Sequence, residues 1–221
     1  MRPISTTSED DYSYFDPRVC VIGLGHTGLV HALAFGENYK TIGYDPDQER
    51  VEELRRGHDS LLKVSGELIQ HALYKGFSCT SDLEDIRKCN FYVITLPPES
   101  VSDNPSERHP LWSACEVVGK VISGGDIVVF DSCGCPSMSE KECIPLVEKK
   151  SGFICNRDFF AGYSPGPFEF HEKGFTFWND GKITSGSTPE IAKIVDEVYI
   201  NVFGADSLVT PLRETIVGRV I

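Results

Sequence analysis

Short, almost unbroken apolar runs recur along the chain, separated by longer stretches in which apolar positions return every three or four residues. Val19-Cys20-Val21-Ile22, Thr41-Ile42-Gly43-Tyr44, Phe91-Tyr92-Val93-Ile94-Thr95, Ile127-Val128-Val129-Phe130 and Phe159-Phe160-Ala161-Gly162-Tyr163 have strand length. Their continuous rather than alternating apolarity predicts strands covered on both faces. Phe77-Ser78-Cys79 and Ile183 predict shorter strands, the latter at an edge. Between them, helical spacing appears in Leu29-Val30-Leu33-Ala34, Val51-Leu54 and Leu68-Ile69-Ala72-Leu73. It returns in Trp112-Cys115-Val118-Gly119-Ile122 and in Ile191-Ile194-Val195-Val198-Tyr199. Punctuation supports these helices: Pro46 suits a helix start, Gly57 a stop, and Ser65 and Gly76 bracket the third stripe. Ser137 with Glu140, and Ser187 with Glu190, offer capping boxes, the first for a helix running to about Lys150. Ser81–Lys88 predicts a short helix, while 99–109 and 164–181 read as loops. Strands alternating with helices in this way predict an α/β fold, a doubly wound Rossmann-type parallel sheet of about six strands with helices on both faces.

Composition narrows what such a fold does. Of 221 residues, 40% are hydrophobic, as in a folded globular protein, and Lys plus Arg number 21 against 33 Asp plus Glu. The net charge of −12 argues against a nucleic-acid partner or an anionic membrane surface, each of which asks for a basic patch. No apolar run approaches bilayer length, and Met1-Arg2-Pro3-Ile4-Ser5 has no signal-peptide core, so a cytoplasmic protein is expected. The eight cysteines include no C-x-x-C pair. Cys133, Cys135, Cys143 and Cys155 have no zinc-site spacing, so reduced thiols and no metal are expected. His31, His58, His71, His109 and His171 read as surface or core histidines. Residues 1–16 are acidic and aperiodic and predict a disordered tail ahead of a domain spanning 17–205.

The candidate chemistry lies where the first strand ends. Gly23-Leu24-Gly25-His26-Thr27-Gly28 follows Val19–Ile22 directly and opens a helix, and the next strand runs into Asp45. In a G-x-G-x-x-G turn, Gly23 permits the tight bend, Gly25 lets the backbone approach a pyrophosphate, and Gly28 lets helix and strand pack closely. His26 and Thr27 contribute backbone N–H groups at the helix N-terminus. Asp45 stands where a carboxylate hydrogen-bonds an adenosine ribose, which favours NAD over a 2′-phosphorylated cofactor. Arg50, five residues on, is weighed equally as a ribose or phosphate contact and as a solvated helix arginine.

These stretches, with Ile94-Thr95-Leu96-Pro97, Gly125–Ser132, Cys143–Glu148, Asp158–Pro165 and Ile183–Glu190, resemble the nucleotide-sugar dehydrogenases of the UDP-glucose and GDP-mannose dehydrogenase superfamily. The branch most similar acts on UDP-N-acetylhexosamines. The resemblance runs through residues 17–205 in family order. It implies an NAD-binding domain of an enzyme that oxidises a sugar C6 alcohol to a carboxylate, with Pro97 and Ser132 joining the glycine turn, Asp45 and Arg50 around the cofactor. It also implies that 206–221 begins the family's central dimerisation helix, a contact for a homodimer or partner chain. The cysteine-bearing, UDP-sugar-binding half then lies outside these residues, and a UDP-sugar binds only where that half is supplied.

Four positions depart from the family pattern. Cys133 stands at the threonine position after the fifth strand, where it is the candidate catalytic residue. Gly166 stands at the glutamate position with Glu169 three residues on, Val217 at the lysine, and Pro98 at a threonine offered to the cofactor. Removing a positioned acid–base group typically costs ~10²–10⁴-fold. The isolated chain is therefore expected to be inactive, with a degenerate NAD-binding or interaction module as the alternative function.

Overall fold

The computed structural model describes residues 15–61, 64–95, 110–131, 139–164, 168–171, 174–177, 183–204 and 208–209. Strand β1 (Arg18–Ile22) pairs in parallel with β2 (Lys40–Tyr44) on one side and β4 (Phe91–Ile94) on the other. Beyond these lie β3 (Ser78–Thr80), β5 (Ile127–Asp131) and β6 (Phe160–Ser164), all parallel, in the order β3-β2-β1-β4-β5-β6. This is the doubly wound arrangement, in which the strand order reverses at the switch point between β1 and β4. Past β6 the sheet continues through the short strand expected at Ile183 and one more. β9 (Ile183–Gly186) adds antiparallel to β6, and β10 (Leu208–Val209) adds parallel to β9.

The connections are α1 (His26–Asn38), α2 (Gln48–Arg55), α3 (Gly66–Lys75), α4 (Leu83–Ile86) and α5 (Pro110–Val121). A π-helical turn (Ser139–Cys143) leads into α6 (Ile144–Ser151), and α7 (Pro189–Phe203) follows β9. Alternate residues of each central strand feed two cores. Val19, Val21, Val93, Ile127 and Val129 meet α1, α3 and α7, while Cys20, Ile22, Tyr92, Ile94, Val128 and Phe130 meet α5 and α6. That explains the unbroken apolar runs, because both strand faces are covered. Fully burying one such side chain contributes roughly 1.5–3 kcal/mol.

Several expectations shift. The helix after Asp45 starts later than Pro46, because Asp47 caps it by accepting from the amides of Glu49 and Arg50. Thr188 rather than Ser187 caps α7, accepting from Ile191, while Ser187 Oγ accepts from the Ala161 amide at 3.1 Å. Trp112 is 42% exposed, since α5 turns Leu111 and Ala114 inward instead. The stretch read as a loop contains a hairpin of β7 (Phe168–His171) and β8 (Gly174–Phe177). Phe15 and Asp16, assigned to the tail, are anchored: the Phe15 ring lies 6.3 Å from that of Phe91, and the Asp16 carbonyl accepts from Asn90. Leu208 and Val209, expected to begin a helix, extend the sheet. Ser137 and the rest of 206–221 lie outside the described residues. No described helix is long and apolar enough to cross a membrane.

Candidate dinucleotide site

The carboxyl ends of β1 and β2 bring the turn and the acid together, and each glycine of the turn has a different reason to be there. Gly23 has φ of 90°, a left-handed conformation that an L side chain rarely adopts, and its amide donates to the Tyr44 carbonyl at 2.8 Å. A Cβ on Gly28 would sit 1.7 Å from the Gly23 carbonyl oxygen and 2.7 Å from Thr95 Oγ1, so α1 packs on β1 only without one. A Cβ on Gly25 would meet nothing within 4 Å, leaving the space in front of that peptide open.

Gly25 is the N-cap of α1 and offers no side chain to the helix end. The first intrahelical bond shown is Leu29 N to Gly25 O at 3.1 Å, so the amides of His26, Thr27 and Gly28 are the orphan donors of the first turn. That turn holds no acidic residue to offset the positive end of a 13-residue helix. An anion at this place would find directed N–H groups and a favourable field.

Leu24 is gripped from both sides. Its amide donates to Asp45 Oδ2 at 2.7 Å, and its carbonyl accepts from Arg50 Nε at 2.8 Å. The other Asp45 oxygen accepts from the Asp47 amide at 3.0 Å. An ionised carboxylate has about four lone-pair positions, so room remains for ribose hydroxyls. Arg50 is buried, which removes the solvated-arginine reading. Its Nη1 pairs with Asp59 Oδ1 at 2.8 Å and with Glu53. Asp59 in turn accepts from the amides of Leu61 and Val64. Partial burial opposes ionisation of Glu53, but the Arg50 guanidinium and the Ser60 hydroxyl hold its carboxyl below the usual range. Arg50 Nη2 is buried with no hydrogen-bond partner among the described residues, which leaves a cationic donor for a ligand oxygen.

One polar cluster escapes the sequence reading. His31, taken for a core or surface histidine, has Nδ1 2.9 Å from the Thr27 carbonyl and Nε2 3.3 Å from Asp131 Oδ2. The Tyr199 hydroxyl donates to that same oxygen at 2.7 Å. The signal was present: a histidine four residues after Thr27 on one helix, and an acid closing an otherwise apolar strand. Nothing in the sequence pairs the two.

Pro97, Ser132 and Cys133, like the departing positions Pro98, Gly166 and Val217, lie outside the described residues. The described cysteines are free thiols, and among the described residues no group of three His, Cys, Asp or Glu is placed to hold a metal. Open backbone at Gly25, three orphan amides, a carboxylate with spare acceptor positions and an orphan guanidinium nitrogen fit a dinucleotide.

Comparison with known proteins points the same way. Residues 17–202 match the model of the UDP-glucose/GDP-mannose dehydrogenase family, NAD binding domain. The UDP-N-acetyl-D-glucosamine 6-dehydrogenases of Salmonella typhi and Pseudomonas aeruginosa are each 40% identical, over 85% and 86% of this chain and 44% of each relative. The chain thus spans less than half the length of these relatives. In fold, it resembles the UDP-D-ManNAc dehydrogenase of Pyrococcus horikoshii, at a TM-score of 0.70, 20% identity, and coverage of 88% of this chain and 47% of that one. GDP-mannose dehydrogenase of Pseudomonas aeruginosa, solved as a ternary complex, gives 0.71 at 19% identity, covering 90% of this chain and 46% of that one.

Proposed function

Since the chain belongs to the UDP-glucose/GDP-mannose dehydrogenase family and is its NAD-binding domain, we propose that it serves as the cofactor half of a UDP-N-acetylhexosamine 6-dehydrogenase. The carrying observation is the cradle at Gly25: open space before a helix N-terminus whose first amides are unspent. When bound there, NAD supplies the hydride acceptor for oxidation of an alcohol. In this reading His26, Thr27 and Gly28 donate backbone N–H bonds to the pyrophosphate. Asp45 accepts from the adenosine ribose, and Arg50 Nη2 reaches an oxygen on the same side. Leu24 fixes the turn by using its amide and carbonyl to bind these two side chains. Pro97 and Ser132 complete the cofactor contacts by resemblance, with Cys133 at the family's threonine position.

The UDP-sugar belongs to a substrate-binding half, and the acetylhexosamine class is supported by the named activity of the 40%-identical relatives. With Cys133, Gly166 and Val217 at three family reactive positions, this chain by itself binds NAD without turning over. Residues 206–221 serve as the contact with a second copy or partner chain. The outermost strand described on that side, β10, is such an edge. The free thiols suit a reducing cytoplasm.

Calorimetric titration of the chain with NAD, followed by NADH absorbance with UDP-N-acetylglucosamine, UDP-N-acetylmannosamine and UDP-glucose, tests both parts. Micromolar binding with flat absorbance traces is expected. No binding at millimolar NAD overturns the cofactor role, and turnover by the chain alone overturns the division of labour.

A further inference from the structure

The doubly wound sheet has two nucleotide-binding halves, β1–β3 and β4–β6, and a dinucleotide lies across the crevice between them. One fully buried polar cluster ties the first half to the second. His31 lies on α1, one turn beyond the glycine loop, and Asp131 is the last residue of β5. Asp131 shares strand parity with Ile127 and Val129, which places its side chain on the sheet face covered by α1 and α7. There its Oδ2 meets His31 Nε2 at 3.3 Å and the Tyr199 hydroxyl of α7 at 2.7 Å. His31 and Asp131 are both 0% exposed. Aromatic rings enclose the cluster, with Phe203 5.8 Å from the His31 ring and 5.5 Å from Tyr199.

The hydrogen-bond inventory makes these contacts directional. The Thr27 carbonyl only accepts, so His31 Nδ1 donates to it, which turns Nε2 toward Asp131 Oδ2 at 3.3 Å. An apolar side chain at position 31 would remove this contact to Asp131 in the buried interior, where a lost polar contact is costly. Such a link costs more to maintain than hydrophobic packing would, and this one joins the phosphate-binding end of α1 to the end of β5.

We propose that His31 is a positioning residue for the dinucleotide. With Asp131 and Tyr199 it braces the first turn of α1 against the carboxyl end of β5, setting the spacing between the phosphate-holding turn and the strand ends of the second half. The inference rests on the NAD-binding reading above. A ligand occupying only the first half does not depend on that spacing, whereas the whole dinucleotide does.

The test compares NAD with ADP, which shares the adenosine and both phosphates, by calorimetry on the full chain. His31→Leu is expected to weaken NAD about tenfold and leave ADP within about twofold, the scale of one lost buried charged contact. His31→Gln, whose amide N–H can donate to Asp131, is expected to recover most of the loss. Tyr199→Phe keeps the ring and removes one donor, so it should show the same split in smaller degree, and it carries the test if His31→Leu fails to fold. Equal losses for NAD and ADP, no loss for either, or a Gln variant no better than Leu overturns the positioning role. If the unaltered chain binds neither ligand, the proposed function fails first and this inference with it. Normal wild-type binding with unsplit losses sinks the inference alone.

Discussion

The Leu24 amide donates to Asp45 Oδ2 over 2.7 Å, so the acid closing β2 is a structural element of the glycine turn as well as a candidate ribose ligand. Replacing Asp45 by Ala therefore removes two things at once, the fixed Leu24 peptide and the ribose acceptor. NAD affinity is expected to fall by about ten- to a hundredfold, the range of one or two hydrogen bonds to a charged group. NADP should bind the unaltered chain more weakly than NAD, because a carboxylate in the ribose role proposed for Asp45 would repel a 2′-phosphate. Calorimetric titration of both cofactors checks each statement.

Gly25 and Gly28 separate binding from folding. A Cβ at 28 would lie 1.7 Å from a backbone oxygen that cannot step aside, so Gly28→Ala is expected to cost about 1–3 kcal/mol or more. A Cβ at 25 meets nothing, so Gly25→Ala should keep the wild-type melting temperature and lose NAD affinity. Thermal unfolding beside a ligand titration distinguishes the two. A Gly25→Ala protein that binds NAD normally would place the phosphates elsewhere.

Arg50 holds Leu24, Asp59 and Glu53 together beside the glycine turn. Its replacement by Met removes the buried ion pair with Asp59 and is expected to destabilise the fold by about 3–5 kcal/mol. Arg50→Lys retains the charge but lacks the planar fork that reaches Leu24 and Asp59 together. It should fold better than Arg50→Met while still binding NAD weakly. Denaturant midpoints and NAD titrations of the two variants read this out.

Asp126 gives a pH dependence of known sign. Burial pushes its carboxyl up to about 7, although the Ser123 amide at 2.7 Å and the Arg18 charge pull the other way. The unfolded chain, with an ordinary carboxyl, ionises first as pH rises. The contribution of the neutral carboxyl is thus fully present below about pH 4, declines up to about 7 and is absent above, roughly 4 kcal/mol in all. Asp126→Asn should match the wild type in urea midpoint near pH 4 and exceed it at pH 8. Equal midpoints at both pH values would contradict the burial argument.

Much of this was legible in the sequence, for a physical reason. Val19–Ile22, Phe91–Ile94 and Ile127–Phe130 are covered on both faces, and buried parallel strands announce themselves as continuous apolar runs. The glycine turn was equally readable, because Gly23 and Gly28 answer local backbone demands. Boundaries fared worse: α2 begins after Asp47 rather than at Pro46, and Thr188 took the cap expected at Ser187, since neighbouring polar residues compete for the same amides. The β7–β8 hairpin carries alternating rather than continuous apolar positions, Phe168, Phe170, Phe175 and Phe177, a strand signal that the loop reading passed over. The His31–Asp131 contact joins residues a hundred positions apart, and no periodicity reports it. Arg50 was ambiguous for the same reason, its burial being decided by Asp59 and the Leu24 carbonyl.

The central claim is that the turn from Gly23 to Gly28, with Asp45, holds NAD, and calorimetric titration of the unaltered chain with NAD tests it most directly. A saturable isotherm with one site per chain and a micromolar dissociation constant, lost in Gly25→Ala at unchanged melting temperature, is the expected result. Absence of binding heat at millimolar NAD from a chain that melts cooperatively would contradict it.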